Sequence, residues 1–128
     1  MSYYFSKKVN LSFDKAIAGV TEELKKEGFG ILTDIDVKAT LKEKLDVEFR
    51  KYRILGACNP SFAYQALQAE DKIGTMLPCN VMVQEIADGQ VEVTAVDPLA
   101  SMQAIKNPAL KEIATEISHK LKTVIDRV

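Results

Sequence analysis

The sequence predicts an α+β fold: a two-layer sandwich in which helices cover one face of a largely antiparallel sheet. Three observations carry that prediction. Strand-like stretches are separated by helical ones, Asp88-Gly89 sits between two alternating runs, and the C-terminal segment bears a continuous apolar stripe at helical spacing. A chain of 128 residues, 47% of them hydrophobic, suits one compact domain over residues 1–128 with a core that needs no staples.

The elements follow in order. Tyr3 to Val9 reads as a strand, after which Ser12 caps a helix whose Phe13, Ile17, Val20 and Leu24 recur at helical spacing until Gly28 ends it. "GILTDIDV" then alternates, with Ile31, Thr33, Ile35 and Val37 on one face and Leu32, Asp34 and Asp36 on the other. Lys38 to Asp46 suits a short helix by propensity, and Phe49 to Asn59 returns to aromatic and β-branched strand character. Asn59-Pro60 and Asn107-Pro108 are helix starts, since asparagine is a favoured cap and proline suits the first helical position. The first opens a helix from Pro60 to Ala69. The second opens the long helix whose Leu110, Ile113, Ile117, Leu121, Val124 and Val128 form the stripe. Between them, two strands flank Asp88-Gly89, a dipeptide suited to the positive backbone angles of a hairpin turn, and a short helix from Leu99 to Ile105 follows Asp97-Pro98. Along the fourth strand Cys79, Val81 and Val83 share one face, and Asn80, Met82 and Gln84 the other. That second face is left for a ligand or a second subunit.

Charge and composition exclude several classes of function. Seventeen basic residues against eighteen acidic ones, with no run of either sign, give no electrostatic basis for holding nucleic acid or an anionic membrane. "FRKYR" at Phe49 to Arg53 interleaves aromatic and basic residues, but a single short cluster reads as a solvated strand face. No secretion signal or bilayer-spanning run is present, and two cysteines without such a signal indicate reduced thiols in the cytoplasm. Gly28 and Gly30 lie between a helix and a strand, the reverse of the order that seats a phosphate on a helix N-terminus. Asp34 and Asp36 read as a solvated face rather than a cation site, His119 reads as surface, and two thiols with one histidine fall short of a structural zinc set. No cofactor is expected.

What remains is a pair of Cys-Asn dipeptides. Cys58 precedes a helix cap, where the dipole and free N–H groups can favour a thiolate, while Cys79 follows Pro78 and opens a strand as a packed thiol would. If their strands run antiparallel, the two dipeptides share one sheet end; if parallel, a strand of about eight residues parts them by roughly 25 Å.

"YRILGACNP", "SFAYQAL", "IGTMLPCNVMV" and "VTAVDP" resemble, in order and wording, the domain-of-unknown-function 302 family. The matching positions are Gly56, Cys58, Asn59 and Pro60, then Gly74, Leu77, Pro78, Cys79 and Asn80, then Asp97 and Pro98, with Met76 and Met82 as mild departures. The resemblance implies architecture: a curved antiparallel sheet with an outline similar to the TATA-box-binding-protein fold, assembled as a homodimer. It implies no DNA binding, because fold does not carry function with it. The resulting reading is a non-catalytic homodimeric module that holds a small molecule near Cys58, Asn59, Pro60, Cys79 and Asn80, with the asparagine amides orienting it. The rival is thiol redox chemistry, or metal and sulfur handling, by Cys58 and Cys79. A third reading makes both motifs structural.

Overall fold

In the computed structural model, which describes residues 2–128, the chain runs β1 (Tyr4–Val9), α1 (Phe13–Lys26), β2 (Gly30–Asp36), α2 (Val37–Leu45), β3 (Tyr52–Cys58) and α3 (Pro60–Ala69). A 3-10 helix (Asp71–Met76) follows, then β4 (Cys79–Ala87), β5 (Gln90–Val96), α4 (Pro98–Ser101) and α5 (Pro108–Arg127). The strands form one sheet in the order β1-β5-β4-β3-β2, with every neighbouring pair antiparallel. This is the expected α+β arrangement with an open sheet.

Local chemistry sets most of the boundaries. Ser12 accepts from the Lys15 amide and starts α1. At its far end Gly28 takes φ 87°, and the amides of Gly28 and Phe29 return to the carbonyls of Lys25 and Leu24, closing a Schellman turn that brings Phe29 beside Leu24 in the core. Gly89 takes φ 75° in the β4–β5 hairpin, as the dipeptide predicts. β3 begins at Tyr52 rather than at Phe49. Its partner β2 gives way to α2 after the pair Asp36–Arg53, so Phe49 and Arg50 have no β2 residue opposite, and the Arg50 guanidinium lies 4.4 Å from the Phe49 ring centre instead.

β2 departs from its predicted alternation. Ile31 pairs with Ala57 and Thr33 with Gly56, so Leu32 is an extra residue in a bulge, and every later side chain changes face. Ile31 therefore shares its face with Asp34 and Asp36, not with Thr33 and Ile35. The short helix after Asp97 is also smaller than expected, ending at Ser101, because Met102 and Ile105 pack against Ala66, Ile73 and Leu110.

One sheet face is closed by helices. Leu55, Ala57, Val81, Val83, Val91, Val93 and Ala95 are buried there against Ala16, Val20 and Leu24 of α1 and Ile117, Leu121 and Val124 of α5. The alternation of β4 holds as predicted, with Cys79, Val81 and Val83 buried and Asn80 exposed. The opposite face carries Ile35, Ile54, Met82 and Thr94 in one row, and Thr33, Gly56, Asn80 and Val96 in the next. No helix buries that row: Ile35 is 48% exposed. Among the described residues no helix is long and apolar enough to cross a membrane.

Candidate ligand-binding site

β3 and β4 pair antiparallel with Ala57 opposite Cys79, so Cys58 lies one residue beyond Cys79 on the adjacent strand. The two Cys-Asn dipeptides meet at one end of the sheet, and both thiols are free. They border a cavity of about 290 Å³ between that sheet end, α3 and α5. Phe29, Phe62, Leu67, Leu77, Met102 and Ile113 wall it, and Ala57, Ala63, Ala66 and Ala114 face it from β3, α3 and α5. These four alanines explain the space: three packed elements each present a methyl where a larger side chain would fill it. No carboxylate, imidazole, ammonium or guanidinium is part of the lining.

The lining also accounts for the character of α3. Of its ten residues only Ala66 is buried. Phe62 and Ala63 stand half-buried on the side that faces the cavity instead of closing a core.

Asn59 is fully engaged by the backbone. Its side-chain oxygen accepts from the Phe62 amide at 3.5 Å, capping α3, and its amide nitrogen donates to the Glu27 carbonyl at the end of α1, 3.2 Å away. Gly28 makes room for it: a Cβ at that position would stand 3.0 Å from the Asn59 nitrogen. Asn107 repeats the device, capping α5 through the Ala109 amide at 3.1 Å and donating to the Ala69 carbonyl of α3 at 2.8 Å. Each asparagine thus starts its own helix and satisfies an orphan carbonyl at the end of another.

Asn80 lies elsewhere. It sits exposed on the open sheet face, outside the main cavity, and borders a smaller one of about 210 Å³ with Met76, Cys79, Val96 and Met102. Pro60 occupies the first turn of α3 and does not line the main cavity either. Of the five residues singled out in the sequence, Cys58, Asn59 and Cys79 therefore surround the larger space. Its apolar walls escaped sequence reasoning, and the signal that could have found them is the run of Phe62, Ala63, Ala66 and Leu67 along one side of a helix.

The two thiols differ in setting. Cys79 is buried, and loss of water pushes its pKa up to about 11, with the neighbouring Cys58 thiol adding to the shift. Cys58 is half-buried at the cavity edge. The other candidate residues are committed to structural roles. Asp34 accepts a two-pronged contact from the Arg53 guanidinium, which lowers its pKa, and Asp36 caps α2 through the Ala39 amide. His119 is exposed on α5. Beyond the cavity, Gly56 is hemmed in: a Cβ there would stand 2.1 Å from the Thr33 hydroxyl and 2.7 Å from Pro78 Cγ. Ser118, the buried polar residue of α5, donates to Asp97 at 2.8 Å and fastens that helix to the turn after β5.

Residues 5–128 match the family described as a domain of unknown function, DUF302. A crystal structure of an uncharacterized conserved DUF302 protein from Bacillus stearothermophilus superposes with a TM-score of 0.91 at 31% identity, over 99% of this chain and 98% of that one. No curated protein matches the chain.

Proposed function

The chain belongs to the DUF302 family, and on that footing we propose that it is a non-catalytic binding module whose cavity beside Cys58 and Cys79 holds a neutral, apolar small molecule. The observation that carries this is the lining: a cavity of about 290 Å³ whose walls are apolar side chains and two thiols, with Asn59, held by backbone hydrogen bonds, as its one polar neighbour. Apolar cavities of about 150 Å³ stay dry and take up benzene, so this one suits a bicyclic ring system or a medium-length alkyl chain. A charged organic ligand is disfavoured, since no carboxylate, ammonium or guanidinium in the lining would pair with it. Asn59 serves by fixing the cavity wall rather than by turning its amide to the ligand. Free thiols fit the reducing cytoplasm, where the module would act. The test is a thermal-shift and calorimetric titration with naphthol and decanol, repeated on Ala63→Leu. Saturable binding that raises the wild-type Tm and disappears in the filled variant is expected. Equal shifts in both proteins, or none in the wild type, would overturn the reading.

We further propose that the module works as a homodimer through its open sheet face. Support comes from the apolar row of Ile35, Ile54 and Met82, and from Lys8 and Glu92, which lie side by side on the same face and can exchange partners across a two-fold axis. Sedimentation of the wild type at twice the chain mass, and of Met82→Glu at the chain mass, is the expected outcome. A monomeric wild type would end this part of the proposal.

A further inference from the structure

We propose that Cys58 and Cys79, with the thioether of Met102 on the wall of the same cavity, form a soft-metal site that takes copper(I). This goes beyond the binding of an apolar molecule and does not depend on it. Both cysteines of the chain lie at one sheet end, on adjacent strands and one register step apart, which places their Cα atoms about 6 Å from each other by sheet spacing. Alternation along a regular strand would aim them to opposite faces. Cys58 is the last residue of β3, however, where the chain leaves the sheet for the Asn59 cap, and both residues line the same cavity. Met102 lines that cavity and the smaller one, Met76 lines the smaller one, and Cys79 belongs to both. Three sulfur-bearing side chains, Cys58, Cys79 and Met102, therefore line one cavity.

The chemistry of this set selects the ion. Thiolate and thioether are soft ligands, and copper(I) accepts a low coordination number built from them. Zinc wants four nitrogen, oxygen or sulfur donors in a tetrahedron, and no group of three or more histidine, cysteine, aspartate or glutamate side chains able to hold a metal occurs among the described residues. Magnesium and calcium want a set of oxygen ligands led by carboxylates, and neither lining holds a carboxylate. Binding replaces S–H bonds with Cu–S bonds: each coordinating cysteine gives one proton to solvent, and the oxidation state of copper and sulfur is unchanged. Affinity must then rise with pH.

The experiment is an anaerobic titration of the reduced full chain with copper(I) against bathocuproine disulfonate, with X-ray absorption on the loaded protein. Expected are one copper per chain, a shell of sulfur only, and proton release that follows loading. Cys58→Ala and Cys79→Ala should each weaken binding by more than about 100-fold, beyond what losing an outer-shell contact does. Met102→Leu should weaken it less. Thermal melts of the metal-free variants, and Cys58→Ser as a second replacement, separate loss of ligand from loss of fold. Transfer of all copper to the chelator by folded wild type, nitrogen or oxygen in the first shell, retention in Cys79→Ala, or equal retention of zinc would each overturn the proposal.

Discussion

Cys58-Asn59 and Cys79-Asn80 carry the same two side chains at the same end of the sheet, yet one asparagine is built into the framework and the other faces solvent. Asn59 follows the last residue of β3, so its amide is free to turn inward, cap α3 and reach the end of α1. Asn80 is the second residue of β4, so strand alternation sends it to the uncovered face. The cysteines divide as well: Cys79 is held by alternation against the core, while Cys58 lies at the cavity edge. What separates the dipeptides is the backbone each belongs to, a strand that is ending in one case and one that is beginning in the other.

That comparison can be broken most forcefully at Gly56, which pairs with Asn80 on one side and Thr33 on the other and so sets the two strands in place. Gly56→Ala drives a methyl into Thr33 and Pro78 and should cost about 3 kcal/mol in urea denaturation. Adding Thr33→Ala should restore part of that loss, and failure to do so would place the strain at Pro78. Next in size, Asn59→Ala removes a cap and a bond between helices, about 2 kcal/mol, whereas Asn80→Ala should stay within about 0.5 kcal/mol. Equal costs at the two asparagines would erase the distinction. Asn107→Ala should resemble Asn59→Ala.

The smallest effect lies in the thiols. The folded-state pKa of Cys79 is raised, so its contribution to stability is fully present below its ordinary pKa of 9.0 and is lost as pH climbs from there to about 11. Cys79→Ala should flatten that part of the stability profile. At neutral pH, mass spectrometry of the reduced native protein should find Cys58 alkylated at least about tenfold faster than Cys79, which opens only with the fold. Equal rates would show that the sheet end frays.

The most legible parts of this fold were those whose cause lies within a few residues. Both Asn-Pro starts, the Asp88-Gly89 hairpin and the C-terminal helix fall where the sequence puts them, because a cap, a proline ring or a glycine turn acts locally. The misjudged face of β2 has a cause outside its own pattern: Leu32 is extruded because Ile31 and Thr33 must meet consecutive residues of β3. The meeting of the two cysteines needed the direction of β3 against β4, which no local signal fixes. The cavity was the least legible feature. It is made by missing volume, and alanines at 57, 63, 66 and 114 look in sequence like ordinary core or helix residues.

The paired carboxamides have a consequence for the motion of the helix beside the cavity. Asn59 ties the start of α3 to α1, and Asn107 ties its end to α5, so the helix that roofs the space is latched at both extremities. A roof fixed in this way does not swing on a hinge. Phe62 and Leu67, which α3 carries on its cavity side, can still change rotamer, on the timescale of side-chain motion rather than of helix displacement. For the ligand proposed above, shortening either of these side chains should hasten release without loosening the frame.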